Sequence, residues 1–514
     1  MGWIIFALAL SRVEGLVGDF EKDRAELKKA AAAVDLRGVR DAADRLAASD
    51  RKPAVDALLD GYGVCAGAMK LLWADKLKAL QQKEANADFR INTSTTPPTI
   101  VEQDVNKYKA WQEAEAFGQK TERSIMAVEA CKRAIVDALG SFKSDDSVKE
   151  LAAELAGNGR PEKRAGVAEA LGRTRHASAS SALAAAAVKD AEPPVRVAAL
   201  DALRELKEGA PAAIENLKHE FWQVRSAAAA LLKTLKAKEG VEPLIDALGK
   251  ADGRWRAEIN EALVAITGVD KHGDPAAWKA WLAAPDAAPP AAPAAKTTFY
   301  GIPVESKSVI FILDRSGSMA EPSEWEIPPD VATGPGPKEI KKEGDRKIDI
   351  ARWQLKKALA MMPDGAEFNL IFYNHEWTIL SEKPLKLAAA TRKAAFEFID
   401  RLDPVGPTNI YDPLEKGLSF AAAGAMAEKI ARSGVDTLFF LTDGMPNTGQ
   451  VPRAEDILVK VKELNKARKV KIHAIGVFSA GRGPATQPSE AELGGKFLKQ
   501  LAAENDGRYT GAQK

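Results

Sequence analysis

Residues 309–319 read VIFILDRSGSM, and this stretch decides how the carboxyl-terminal part of the chain is understood. Val309 to Leu313 form a short, continuous apolar run rich in Val, Ile and Phe, the pattern of a strand buried on both faces. Asp314, Ser316 and Ser318 follow at alternate positions just beyond the strand's C-terminal end. In an open α/β sheet that edge is where ligands bind. Alternate spacing in an extended turn points three oxygen-bearing side chains at one spot, and Gly317 lets the backbone bend enough to gather them.

Working outward, similar apolar runs recur at 368–372, 437–441 and 472–477. Helix-like stretches lie between or after them at 347–362, 392–402, 412–423, 454–467 and 490–505. Strands alternating with helices predict a doubly wound, mostly parallel, Rossmann-like α/β sheet covered on both faces. The run at 437–441 leads into TDG, which places Asp443 at the same edge, and the loop VGPTN carries Thr408 ahead of a helix. Asp314, Ser316, Ser318, Thr408 and Asp443 are all hard oxygen donors. Such a set suits Mg²⁺, with Mn²⁺ or Ca²⁺ as alternatives, and offers nothing to a soft metal.

The DRSGSM triplet, the Thr of the GPTN loop and the later TDG stand in the order and spacing of a metal-ion-dependent adhesion site, and the stretch from about 307 to 511 resembles von Willebrand factor A (vWA) domains. The resemblance implies that Ser316, Ser318 and Thr408 ligate the ion directly, while Asp314 and Asp443 hold it or its waters. It also implies a sheet with one antiparallel edge strand and about six flanking helices. Mg²⁺ takes six oxygens, so water or a partner's Asp or Glu carboxylate completes the sphere. The chain departs from the family at residues 320–346, a Pro- and Gly-containing insertion carrying Glu321, Glu324, Glu326 and Asp330. One reading is a mobile surface insertion. A sharper one is that a carboxylate of this segment caps the site when no partner is bound.

Upstream, residues 145–283 repeat themselves. Arg164, Arg196, Arg225 and Arg256 recur about every thirty residues, each followed three and seven positions later by apolar residues, ending in Leu171, Leu203, Leu232 and Leu263. Three and seven residues on is one helix face, so each unit offers the same stripe to its neighbours. VRVAALDALREL, VRSAAAALLKTL and WRAEINEALVAI resemble HEAT repeats of the short, phycobilisome-lyase type, and the segment with Trp278 and Trp281 is expected to cover the open face of the last repeat. Residues 20–144 carry helical periodicity with no visible chemistry. The Ala/Pro-rich run at 284–298 reads as an extended spacer, with the vWA-like domain at 299–514 able to swing upon it. Trp3 to Leu10 form either the core of a cleaved signal peptide at 1–19 or a hydrophobic helix start; the first implies export or the cell envelope, the second the cytoplasm.

With 514 residues the chain is too long for one core. Its 73 basic and 72 acidic residues leave a formal charge of +1, which excludes a global field for nucleic acid. No segment is long and apolar enough to span a membrane. Cys65 and Cys131 allow at most one disulfide. There is no GxxxxGK[ST] loop, no second His after His375-Glu376 and no GxSxG elbow. The expected function is therefore a non-enzymatic, metal-dependent interaction or adhesion scaffold, with the repeats as a second binding surface. The alternative is the metal-domain subunit of an AAA+ machine of the chelatase or MoxR kind, and a metal-dependent hydrolase ranks last.

Overall fold

The computed structural model describes residues 20–86, 91–92, 99–157, 159–284, 297–324, 340–421, 430–431, 434–479 and 489–511. The leader segment 1–19, most of the spacer, Glu326 and Asp330 lie outside the described residues. The chain divides into two compact units, 1–212 and 213–514.

The first unit is helical. After α1 (20–33) and α2 (Leu36–Ala47), the long helices α3 (Lys52–Ala85) and α4 (Val105–Gly140) pack against one another as the periodicity predicts. Lys76 on α3 and Glu122 on α4 form an ion pair at 2.7 Å with both side chains out of solvent. A misregistered pairing of these helices would leave a buried charge alone, at a cost of several kcal/mol, roughly 3–5. Cys65 and Cys131 are free, buried thiols, and burial pushes the Cys65 thiol up to about 12.

Helices α5 (Asp145–Ala156), α6 (Pro161–Thr174), α7 (Ala179–Lys189) and α8 (Pro193–Leu206) continue the unit as stacked pairs. The repeated arginines are not merely solvated. Arg164 binds Asp190 through two bonds of 2.9 Å and also donates to the Gly159 carbonyl. Arg196 donates to the Asp190 carbonyl at 2.7 Å. In the second unit, Arg225 reaches the His219 carbonyl at 2.7 Å and Arg256 the Ala251 carbonyl at 3.0 Å. Each arginine thus fastens the loop ahead of its own helix, while Leu171, Leu203, Leu232 and Leu263 are fully buried. Arginine and leucine stand seven residues apart on each helix, one tying the loop and the other filling the core, which explains why the two keep step.

The second unit includes α9 (Trp222–Leu235), α10 (Val241–Leu248), α11 (Gly253–Thr267) and α12 (Pro275–Ala283). Trp278 is fully buried, donates its indole N–H to Asn260 at 2.8 Å and meets Trp281 edge-on, as a capping helix should. The sheet follows, built from β1 (Ser308–Asp314), β2 (Glu367–Tyr373), β3 (Trp377–Ile379), β4 (Leu385–Lys386), β5 (Thr437–Thr442), β6 (Lys471–Gly476) and β7 (Tyr509–Gly511) in the order β7-β6-β5-β1-β2-β3. Five strands run parallel, and the short β3 and β4 pair antiparallel with β2. Every residue of β5 and β6 is buried, the burial that a double cover of helices gives. Those helices include α13 (Lys347–Met361), α14 (Ala389–Asp400), α15 (Tyr411–Ser419), α16 (Ala454–Asn465) and α17 (Glu490–Glu504).

Within this unit the helices at 222–283 do not swing free of the sheet. The buried Arg254 guanidinium stacks 4.9 Å over Trp222, binds Glu258 at 2.6 Å and donates to the Asp436 carbonyl just before β5. Lys307, just before β1, binds Asp252 at 2.6 Å. Both anchors lie at the N-terminal ends of the strands, opposite the edge that carries Asp314 and Asp443.

Two outcomes are expected here. Arg164→Ala should lower unfolding stability in urea by about 1–3 kcal/mol, since it strips a part-buried carboxylate and a carbonyl of their donor. His473 on β6 accepts a bond from the Arg508 N–H at 3.0 Å and packs on Phe439. Burial, then Lys471, Arg508 and Arg254, lower its pKa from 6.5 to about 3. The unfolded chain therefore binds this proton first, and stability is lost as pH falls from about 6.5 toward 3, at up to roughly 1.4 kcal/mol per pH unit. Acid denaturation of His473→Gln, followed by circular dichroism, should show that share of the acid sensitivity removed.

Candidate metal centre

Strand β1 carries Asp314 as its last residue, and the turn after it is short and heavily tied. Asp314 Oδ1 accepts the Ser316 N–H at 2.7 Å, which curls the chain so that the Ser316 and Ser318 hydroxyls stand 3.3 Å apart. Ser318 Oγ donates to Asp443 Oδ1 at 2.8 Å, across 125 residues of sequence. Asp443 follows β5, the neighbour of β1, so parallel pairing of the two strands sets both carboxylates at one edge.

Thr408 reaches the cluster from a third loop. Its N–H donates to Asn447 Oδ1 at 2.8 Å and its carbonyl accepts the Asn447 N–H at 3.0 Å, locking it to the loop after Asp443. A Cβ on Gly444 would stand 3.8 Å from Thr408 Oγ1, which places the hydroxyl against the residue next to Asp443. Further backbone bonds tie the Thr408 loop to the turn after β1 and to the loop after β2: Gly317 N–H to the Gly406 carbonyl at 2.9 Å, Val405 N–H to the Arg315 carbonyl at 2.8 Å, and Asn409 N–H to the Asn374 carbonyl at 2.8 Å. Asp314, Ser316, Ser318 and Asp443 thus meet in one hydrogen-bonded cluster, with Thr408 beside it.

The electrostatics are those of a site short of positive charge. Burial, then repulsion from Asp443, raises the Asp314 carboxyl above the ordinary range, against the opposing bonds from Thr442 and Ser316. Asp443 is also raised, by burial first, although Lys347 and Ser318 pull it down. The donor chemistry fits a hard divalent cation, two carboxylates and three hydroxyls, with no sulfur or imidazole in the set. Among the described residues no three His, Cys, Asp or Glu gather to hold a metal, so a hard cation here would need the hydroxyls as ligands as well.

The strand order and the tied loops are arranged as the resemblance to von Willebrand factor A domains implies. Residues 128–208 match the family model for HEAT repeats. Over 207 residues, 40% of the chain, the sequence is 26% identical to inter-alpha-trypsin inhibitor heavy chain H3 of Mesocricetus auratus, and over 208 residues 24% identical to heavy chain H4 of Homo sapiens. The chain spans only 19% and 18% of those two proteins. Among solved structures it is similar to a von Willebrand factor type A protein from Catenulispora acidiphila, at 18% identity and a TM-score of 0.28, covering 41% of this chain and 40% of that one. The PilB minor pilin from Streptococcus sanguinis matches at 17% identity and a TM-score of 0.27, covering 40% and 56%.

Sequence reasoning missed three residues around this cluster. Thr442, inside the quoted TDG, donates to Asp314 Oδ2 at 2.7 Å. Tyr373, the last residue of β2, is fully buried, and its hydroxyl donates to the Leu441 carbonyl at 3.2 Å. Lys347 binds Asp443 Oδ2 at 2.7 Å. The signal for Lys347 was a lysine opening a helix, where the helix dipole disfavours a cation, so something else has to hold it there. Glu321, a carboxylate of the insertion, accepts a bond from Lys347 at 2.9 Å.

Thr442→Val keeps the shape of the side chain but leaves Asp314 Oδ2 without its hydroxyl donor. Urea unfolding in the presence of chelator should register a loss of about 1–3 kcal/mol, whereas a variant as stable as the parent would show that the bond is dispensable.

Proposed function

We propose that this chain is a non-enzymatic interaction protein whose vWA-type domain binds Mg²⁺, or Mn²⁺ in its place, through Asp314, Ser316, Ser318, Thr408 and Asp443 and captures an Asp or Glu side chain of a protein partner. The single observation that carries the reading is the Ser318–Asp443 bond beside the Ser316 hydroxyl, which joins two distant loops around two buried carboxylates at the sheet's ligand edge. Such a cluster is costly to keep for packing alone, because like charges out of water oppose folding. A bound divalent ion supplies the compensating charge and a Lewis-acidic point for a partner's oxygen. The protein's own part is to hold the hydroxyls in place, limit direct carboxylate ligation and leave the ligand edge open. The repeats offer a second surface, and two linked surfaces raise avidity when both engage. The heavy-chain relatives are named as parts of an inhibitor, which accords with a protein-binding role. Among the described residues no side chain beyond the cluster's own carboxylates accepts a hydrogen bond from the Ser316 or Ser318 hydroxyl as a general base would, which favours binding over hydrolysis.

Affinity capture from the native cell, in Mg²⁺ and in chelator, with wild type and Asp443→Ala, tests the reading. The partner is expected only with wild type in Mg²⁺. Calorimetric titration with Mg²⁺ should give a dissociation constant at least about tenfold weaker for Ser316→Ala. Equal recovery of the partner in all four captures would overturn the metal-dependent role.

A further inference from the structure

Lys347 is the first residue of α13, and only 2% of its side chain meets solvent. Two circumstances disfavour an ammonium there, burial and the positive end of a helix dipole. It is held by two carboxylates, Asp443 at 2.7 Å and Glu321 at 2.9 Å. Their bearing on it is unequal. Asp443 is itself buried, whereas the Glu321 side chain is 55% exposed and accepts a further bond from Ser479 Oγ at 2.9 Å.

The chain goes to some length to fix this lysine. Residues 320–346 could have carried it anywhere, yet the segment is pinched shut at its neck. Pro322 and Arg346 form an antiparallel bridge, the Lys347 N–H donates to the Glu321 carbonyl at 2.9 Å, and the Ser323 N–H donates to the Asp345 carbonyl at 2.7 Å. Arg346 grips Asp349 at 2.8 Å and anchors the start of the helix. The insertion therefore leaves and returns at one point, and that point delivers Glu321 and Lys347 side by side to Asp443.

A charge count shows what the lysine does. Asp314 and Asp443 carry two negative charges, which a divalent ion would neutralise, leaving little to attract an anionic guest. With Lys347 the loaded centre has a surplus positive charge. The same charge repels the incoming ion and occupies Asp443 Oδ2, while Ser318 occupies Oδ1. We infer that Lys347, held against Asp443, weakens the centre's grip on its divalent cation and supplies the surplus charge with which the loaded centre takes a carboxylate, and that Glu321 is the displaceable counter-ion that offsets it. This rests on the metal reading above. It gives the insertion a role other than that of a carboxylate capping the ion: its first carboxylate, Glu321, neutralises the lysine.

The full-length chain is compared with Lys347→Met and Glu321→Gln. Mg²⁺ affinity is read by calorimetry. Carboxylate capture is read by titrating acetate onto Mn²⁺-loaded protein and following the fall in water-proton relaxation as inner-sphere water is displaced. Lys347→Met should bind Mg²⁺ about five- to tenfold more tightly and acetate several-fold more weakly, while Glu321→Gln should move both constants the other way by about two- to threefold. A purely structural lysine would, on removal, weaken both ligands together, and that result overturns the inference. So does a Mg²⁺ constant unchanged in Lys347→Met, or a Glu321→Gln shift in the same direction as Lys347→Met. Should Lys347→Met fail to fold, Glu321→Gln, which keeps the lysine, decides by the sign of its two shifts. Wild type that binds no Mg²⁺ overturns the metal reading itself, a separate outcome from wild type and Lys347→Met binding Mg²⁺ equally.

Discussion

Two carboxylates, Asp314 and Asp443, are buried together at the C-terminal edge of a parallel sheet, and much of the second unit is arranged around keeping them there. Each leaves water at a cost that hydrogen bonds only partly return. Thr442 and the Ser316 N–H serve Asp314, and Ser318 and Lys347 serve Asp443. No neutral donor cancels charge, so the pair keeps a demand for a cation that the rest of the fold does not meet in full.

The parallel sheet makes that placement cheap for the backbone. Adjacent parallel strands end at the same edge, so residues just past β1 and β5 become neighbours without any special loop. Loops do the finer work. Asn447 clamps Thr408, and Gly317 is tied to Gly406, so three loops behave as one surface. The helices of 222–283 hold the other edge through Arg254 and Lys307, which steadies the sheet from the side opposite Asp314 and Asp443.

Much of the fold could be read from periodicity. The apolar runs at 309–313, 368–372, 437–441 and 472–477 are strands, because continuous burial on both faces leaves an uninterrupted mark in the chain. The helix opening at Lys347 and the apolar residues three and seven positions after each repeated arginine are equally plain. Short edge strands such as β3 and β7, of three residues each, left no comparable mark, since few of their side chains are fully buried. A spacer composition suggested swinging domains, but composition cannot register the Arg254 contact with a carbonyl 182 residues away.

By itself the sequence determined the repeat, the alternating strands and helices, and the five oxygen donors, because period and local spacing are properties of the chain. Only the tertiary structure decided which side chains complete the centre. Lys347, Thr442 and Glu321 gain their meaning from distances between residues that are far apart in sequence or that carry no distinctive pattern, and burial in a low-dielectric edge sets an ordinary lysine directly against the buried Asp443 carboxylate.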